Sequence, residues 1–324
     1  MNEMNIFGAK TTAEEVLAGF DLKGKSFLVT GATSGIGRET ARALMTHGAN
    51  VIGTAKDASK AGEATAQIRQ AAALGGGIWE LIDLDLSSLA NVRLAAEKLV
   101  KDGRKFDAIV ANAGVMAPPF GRTADGFELQ FGINHIGHFV FVNSIEPLLI
   151  DGGRLVVLSS QAHRGADVDL VDPNFDDHPY NTWTAYSQSK TANALFAVEF
   201  DKRHRARGVR AASVMPGNSL TNLPQYLSQE TLQGLFATVG KARADAGLPP
   251  PELKEIPQAA ATSVWAAVVA NKDEIGGRYL EDCAVATVVD MVNPFADGVR
   301  SYALDSAKAA QLWARTEELV RAAA

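Results

Sequence analysis

From Lys25 onward, short apolar runs alternate with longer stretches whose apolar positions recur at helical spacing. The apolar runs are Ser26-Phe-Leu-Val-Thr30, Val51–Ala55, Ile78–Ile82, Asp107–Ala111, Arg154–Leu158 and Val209–Val214. Helical stretches lie between them at Ile36–His47, Ala58–Leu74, Leu89–Val100, Phe127–Leu149 and Ala185–Arg205. Strand, helix, strand with short turns predicts right-handed βαβ units, hence an α/β fold with a doubly wound parallel sheet and helices on both faces. Runs such as Leu155-Val-Val-Leu158 are apolar at every position, which fits strands covered on both sides.

Three segments stand outside this rhythm. Residues 1–22 read as an N-terminal arm, in which Thr12-Ala-Glu-Glu15 can open a helical turn. Gln161–Thr184 is rich in Asp, Pro and His. Asn218–Pro257 carries Leu223, Tyr226, Leu227, Leu232, Leu235 and Phe236 ahead of Leu248-Pro-Pro-Pro251. Interruptions this long are uncommon in a compact domain and often functional. The second therefore reads as a substrate lid (218–257) within one domain spanning 23–324, closed by a C-terminal helix.

Composition narrows the class. The chain has 324 residues, 47% of them hydrophobic, with no uninterrupted apolar run of membrane-spanning length. The start, MNEMNIFGAK, lacks the basic-then-apolar pattern of a secretory signal. The single cysteine, Cys283, forbids an intrachain disulfide, and a cytoplasmic location is expected. A net charge of −6 does not suggest a nucleic-acid partner.

Chemistry concentrates at strand ends. Thr30-Gly-Ala-Thr-Ser-Gly-Ile-Gly37 joins the first strand to the first helix. There Gly31, Gly35 and Gly37 would let a pyrophosphate reach backbone N–H groups at the helix start. After the second strand comes Thr54-Ala-Lys-Asp57. With no carboxylate at position 55 and Lys56 next, the cofactor expected is NADP(H), with NAD(H) still able to bind; Asp57 could neutralise Lys56 or turn toward a ribose. Asp83 and Asp85 flank the third strand's end, and Asp85 is the better candidate for the adenine edge. Arg38 reads as surface helix. Tyr186-Ser-Gln-Ser-Lys190 sets a phenol and an ammonium four apart on one helix face, where the cation would lower the Tyr pKa. His135 and His138 lack a carboxylate or thiol to complete a metal site, so packing is expected and no metal. Lys202–Arg207 reads as a solvated helix end, Cys283 as a buried thiol, and Asp176-Asp-His178 as a solvated loop.

Taken together, Thr30-Gly-x-x-x-Gly-Ile-Gly37, Asp85-Leu86, Asn112-Ala-Gly114, Asn134-His-Ile-Gly-His138, Ser159-Ser160, Tyr186-x-x-x-Lys190 and Pro216-Gly217-x-x-x-Thr221 resemble the short-chain dehydrogenase/reductase family, with its Rossmann fold, closest to retinol-dehydrogenase-like bacterial members. The family order extends through Gly277–Cys283 and Tyr302–Asp305 to Leu312-Trp313. The resemblance implies Tyr186 as general acid/base and Lys190 lowering its pKa and holding the nicotinamide ribose. It implies Ser160 on the substrate oxygen and Asn134 holding a relay water. Gly31, Thr33, Ser34, Gly35, Ile36, Gly37, Lys56, Asp85, Leu86, Asn112, Ala113, Gly114, Pro216, Gly217 and Thr221 would line the cofactor, with Tyr186 and Lys190. The implied activity is NAD(P)-dependent interconversion of an alcohol with a ketone or aldehyde on a bulky, largely apolar substrate. A homodimer through the helices near Phe127–Leu149 and Ala185–Arg205 is also implied. Reduction of an activated C=C bond, as in relatives similar to protochlorophyllide reductase, and non-catalytic dinucleotide sensing are the alternatives. The chain departs from the family at Ala111, where a first Asn is common, at Lys56, where Arg is common, and at Asn218-Ser219, which could alter the nicotinamide contact or admit a more polar substrate group. It is also longer than the simplest members between Ser160 and Tyr186.

Overall fold

Side chains of successive strand residues point to opposite faces, so a strand covered on both sides must be apolar throughout. The fold shows this directly. In a computed structural model that describes residues 7–219, 223, 225–290 and 297–323, Leu155 and Val157 pack into one core while Val156 and Leu158 pack into the other. The strands are β1 (Ser26–Val29), β2 (Asn50–Ala55), β3 (Trp79–Asp83), β4 (Phe106–Ala111), β5 (Leu149–Leu158), β6 (Arg210–Met215), β7 (Asn218–Ser219), β8 (Leu253–Lys254), β9 (Tyr279–Glu281) and β10 (Ala284–Val285). Eight form one sheet in the order β10-β9-β6-β5-β4-β1-β2-β3, parallel except for β10. β7 and β8 pair in parallel apart from it. The order reverses between β1 and β4, which opens a crevice beyond their carboxyl ends.

Helices α1 (Ala13–Leu17), α2 (Gly35–Thr46), α3 (Ala66–Gly75), α4 (Leu89–Asp102), α5 (Leu129–Phe131), α6 (His138–Ile145), α7 (Thr182–His204), α8 (Gln229–Asp245), α9 (Ile256–Val264), α10 (Lys272–Ile275) and α11 (Ser306–Ala322) complete the chain. One core lies under α4, α6, α7 and α11, the other under α1, α2, α3 and α9. Within the N-terminal arm, Thr12 and Glu15 form a reciprocal cap on α1, whose Ala13, Val16 and Leu17 are buried in the second core.

Several expected elements change. The helix expected over Ala58–Leu74 begins as two 3₁₀ turns, Ala58–Lys60 and Glu63–Thr65, and becomes α-helical only from Ala66. Asp57 draws in the Ser59 amide and Asp83 the Ala58 amide, competing with helical pairing. The helix expected over Phe127–Leu149 is broken by a π-helical turn at Gly132–Gly137 and ends at Ile145, where Glu146-Pro-Leu148 turns into β5. The interruption at Asn218–Pro257 contains α8, whose Leu232, Leu235, Phe236 and Val239 follow helical spacing. The Asp/His insert is shorter than expected, because Asn181 caps α7 through the amides of Trp183 and Thr184.

The C-terminal helix has a specific seat. Trp313 packs 4.9 Å from Phe139 and 5.7 Å from Phe196, ring to ring, with the Arg203 guanidinium over it at 4.2 Å. α11 thus occupies the face of α6 and α7 through which a dimer is implied by the resemblance. The basic run at the end of α7 is largely paired: Lys202 and Arg203 with Glu199, Arg205 with Asp201, Arg207 with Glu146 and Asp151.

Three imidazoles are buried and neutral. His135 Nε2 meets Thr316 Oγ1 at 2.9 Å, His138 bridges Thr30 and Asn134, and His163 lies beneath Ser160. Burial pulls them down to about 3, about 4 and about 3 respectively. Their folded pKa values lie below the unfolded value near 6.5, so this stability is present above pH ~6.5 and is lost as pH falls toward ~4. The melting temperature should fall across that window, and His135→Met, which removes one of the three protonatable rings, should give a shallower slope. Parallel slopes by differential scanning calorimetry would refute the assignment.

Candidate active site

A dinucleotide needs backbone donors that nothing else has claimed. Ser34, at the N-cap of α2, makes no side-chain capping bond, and the first turn faces a cavity of about 1050 Å³. The cradle has no room for side chains: a Cβ on Gly37 would sit 2.3 Å from Asn112 Nδ2 and 2.4 Å from Gly31 O. Asn112 in turn donates to Thr30 O at 2.8 Å. These features fit a pyrophosphate at the α2 N-terminus.

The Thr30 hydroxyl ties this cradle to the opposite wall. It accepts from the amides of Asn112 and Ala113, both at 2.9 Å. Its own proton is therefore directed to His138 Nε2, 2.9 Å away. With that nitrogen accepting, His138 carries its proton on Nδ1 and donates to Asn134 O at 3.1 Å.

At the second strand's end, Lys56 pairs with Asp85 at 3.2 Å. Asp57 does neither thing expected of it, because it caps Ser59 and pairs with Lys60 at 2.7 Å. Burial works to raise the Asp85 pKa, but bonds from the Ser87 hydroxyl and amide and the nearby Lys56 bring it below the usual carboxylate value. Asp83 binds the Ala58 amide.

At the other end, Tyr186 and Lys190 stand on α7, and Ser160 stands just past β5 in the same cavity wall, its hydroxyl near enough to Tyr186 to act on the phenol's pKa. Lys190 Nζ is 5.7 Å from the Tyr186 ring centre and donates to Leu158 O at 3.2 Å. The expected lowering of the phenol pKa does not occur. Burial pushes Tyr186 up to about 12 against the Ser160 hydroxyl that lowers it, and burial draws Lys190 down to about 8. The Ser160 carbonyl accepts from His163 Nδ1 at 2.8 Å and the Tyr279 hydroxyl at 2.9 Å. His163 Nε2 takes the Arg300 amide at 3.2 Å, which fixes the proton on Nδ1.

Of the described residues expected at the site, Asn134 alone does not line the cavity. Thr221 lies outside the described residues. Asn134 sits behind the wall: Nδ2 donates to Val115 O and Ser189 Oγ at 3.0 Å each, and Oδ1 accepts from the Val115 amide at 2.8 Å. Every polar side-chain atom of Asn134 is thus engaged by protein. Thr30, His138, His163 and Tyr279 carried no sequence signal for their roles, because each has a partner far away in the chain, although His138 and His163 also bond carbonyls four and three residues before them. Beyond Tyr186 the cavity is lined by Met116, Trp183, Tyr226, Leu232, Leu235 and Phe236, among others. Asp176 pairs with Arg122, while Asp172 gathers the amides of Asp176, Asp177 and His178. Cys283 is buried beside Thr262.

Comparison with known proteins gives the family. The profile of the family described as short chain dehydrogenase matches residues 25–232. A "Probable oxidoreductase" of Streptomyces lividans is 38% identical over 90% of this chain and 96% of its own. Retinol dehydrogenase 14 of Homo sapiens is 34% identical over 92% of this chain and 87% of its own. A solved protein of Mycobacterium paratuberculosis superposes with a TM-score of 0.71 at 33% identity, covering 96% of this chain and 98% of its own. A Burkholderia cenocepacia short chain dehydrogenase solved in complex with NADP shares the fold, with a TM-score of 0.62 at 22% identity over 81% of this chain and 97% of its own. Among the described residues no helix is long and apolar enough to cross a membrane. The chain belongs to the short-chain dehydrogenase/reductase family of NAD(P)-dependent oxidoreductases.

Proposed function

We propose that this enzyme interconverts an alcohol and its ketone or aldehyde on a bulky, largely apolar substrate, with NADP(H) preferred over NAD(H). The observation that carries this reading is the Tyr186–Ser160 hydroxyl pair in the wall of a cavity whose other end is the glycine cradle. When bound, the nicotinamide supplies or accepts the hydride. In reduction, Ser160 and Tyr186 orient the carbonyl oxygen by hydrogen bonds, and Tyr186 gives up its proton as the oxygen gains charge. A phenol held up at about 12 is protonated at neutral pH, ready to act as the acid. Lys190, at about 8, keeps much of its charge there and favours the phenolate as it forms. Asn134 acts by fixing Val115 and Ser189 on either side of the site; both of its N–H groups are spent there, and one lone pair of Oδ1 is left for a water. α8 and the segment around it form the apolar lid. The NADP-bound structures of the Burkholderia cenocepacia relative and of the angucycline C-6 ketoreductase LanV support the cofactor preference.

Tyr186→Phe should lower turnover by about 10²–10⁴-fold while cofactor affinity changes far less, by NADPH fluorescence titration beside a carbonyl-reduction assay. Turnover close to wild type would end the assigned mechanism. Lys56 is largely exposed and already shares its charge with Asp85, so Lys56→Ala should weaken NADPH only about tenfold, more at low salt, and leave NADH unchanged. Equal loss for both cofactors would contradict the 2′-phosphate contact. NADPH affinity should also weaken as pH rises through about 8, where Lys190 loses its charge. Lys190→Met should remove that step from the pH profile, and an unchanged step would assign it elsewhere.

A further inference from the structure

One polar feature in the substrate half of the cavity has no part in proton transfer. Gln161 follows Ser160 at the exit of β5, and Asn218 follows Gly217 at the exit of β6. Their side chains meet, with Gln161 Nε2 donating to Asn218 Oδ1 at 2.6 Å, and both line the cavity that holds Ser160 and Tyr186. Each is held from its own backbone. Asn218 is in β7, paired with Leu253 of β8, and Gln161 opens the 3₁₀ turn Gln161–Gly165, which Thr191 of α7 holds through the carbonyls of His163 and of Ala166 just beyond it.

The mutual bond spends one donor and one acceptor site. Two N–H groups on Asn218 Nδ2 and the carbonyl oxygen Gln161 Oε1 remain, with no hydrogen-bond partner among the described residues. The wall around them is largely apolar, with Trp183, Tyr226, Leu232 and Phe236 beside the uncharged Ser187, Ser219 and Gln225, and the cationic side chains among its described residues are Lys56 and Lys190. Neither lies with this pair: Lys56 is bound to Asp85 at the nucleotide end, and Lys190 donates to Leu158 O.

We propose that Gln161 and Asn218 form a subsite for a second oxygen on the substrate, a hydroxyl a few bonds from the reacting carbon. This rests on the carbonyl–alcohol reading above and narrows it to neutral, largely apolar hydroxyketones and the corresponding diols. A hydroxyl donates and accepts at once, which matches an acceptor and a donor set side by side. A keto group would use the donors alone, and a carboxylate would bring an unpaired charge into an apolar wall. Discrimination comes from the substrate that lacks the group: it displaces water from two amides and gives them nothing in return.

The test compares a long-chain aliphatic ketone with its β-hydroxy counterpart, by kcat/KM with NADPH and, independently of turnover, by substrate Kd from tryptophan fluorescence. Wild type should favour the hydroxyketone by about tenfold or more in both measures. Asn218→Leu and, separately, Gln161→Leu should bring the ratio close to one, with folding verified by the melting temperature. A wild-type ratio near one, or a ratio kept by both variants, overturns the subsite. So does a loss of NADPH affinity as large as the loss for the hydroxyketone, which would assign the pair to the cofactor amide. Ketone turnover without a ratio leaves the carbonyl reading standing and removes the subsite. A Kd ratio without turnover of either ketone supports the subsite and removes the carbonyl reading.

Discussion

The exits of β1 and β4 must stay at a fixed spacing if a dinucleotide is to run between them, and the Thr30 hydroxyl sets that spacing. It takes two amides from the β4 exit and gives its proton to His138, so one buried oxygen joins the glycine cradle, the Asn112–Gly114 loop and the π-helical turn. Each of these pieces faces another across the cavity, and none is held in place by apolar packing alone. Asn134 continues the chain from the π-turn to Val115 and, through Ser189, to the helix that carries Tyr186. Shifting the β1 exit would therefore disturb the proton-transfer end as well as the nucleotide end.

The same region shows what burial does to chemistry. His138 and His163 are kept neutral beneath the site; the Arg300 amide, which can only donate, fixes the tautomer of His163, and the Asn134 carbonyl, which can only accept, fixes that of His138. Tyr186 is driven toward its protonated form and Lys190 toward its neutral one by the same low-dielectric surroundings. The acid of the proposed reaction is thus prepared by desolvation, with the ammonium favouring the phenolate only once charge develops.

Much of this was legible beforehand, and the boundary of legibility has a physical basis. Leu155–Leu158 announces a doubly covered strand because each position must be apolar, and the Thr30–Gly37 turn announces its role because steric need leaves so few residue types. Those are local constraints. The pairing of Lys56 with Asp85 in place of Asp57 depends on where β3 ends, and the Ser160–His163–Tyr279 cluster joins residues more than a hundred positions apart. α8 was hidden although Leu232, Leu235, Phe236 and Val239 have helical spacing, because Gly234, Gly240 and the proline run that follows argue for a loop. The π-turn has no compositional mark apart from Gly132 and Gly137, which pack directly against Thr123 and Leu86.

β7 and β8 are two residues each, yet they join the start and the end of the segment that carries α8. Lys254 reinforces this junction, laying its aliphatic stem over Gly217 and pairing with Asp282. A loop whose ends are already joined pays little for a change of length, about 0.6 kcal/mol for each doubling. The segment is therefore an exchangeable cassette: evolution, or a protein engineer, could replace everything between the two short strands and alter what the enzyme accepts while leaving the hydride-transfer frame untouched.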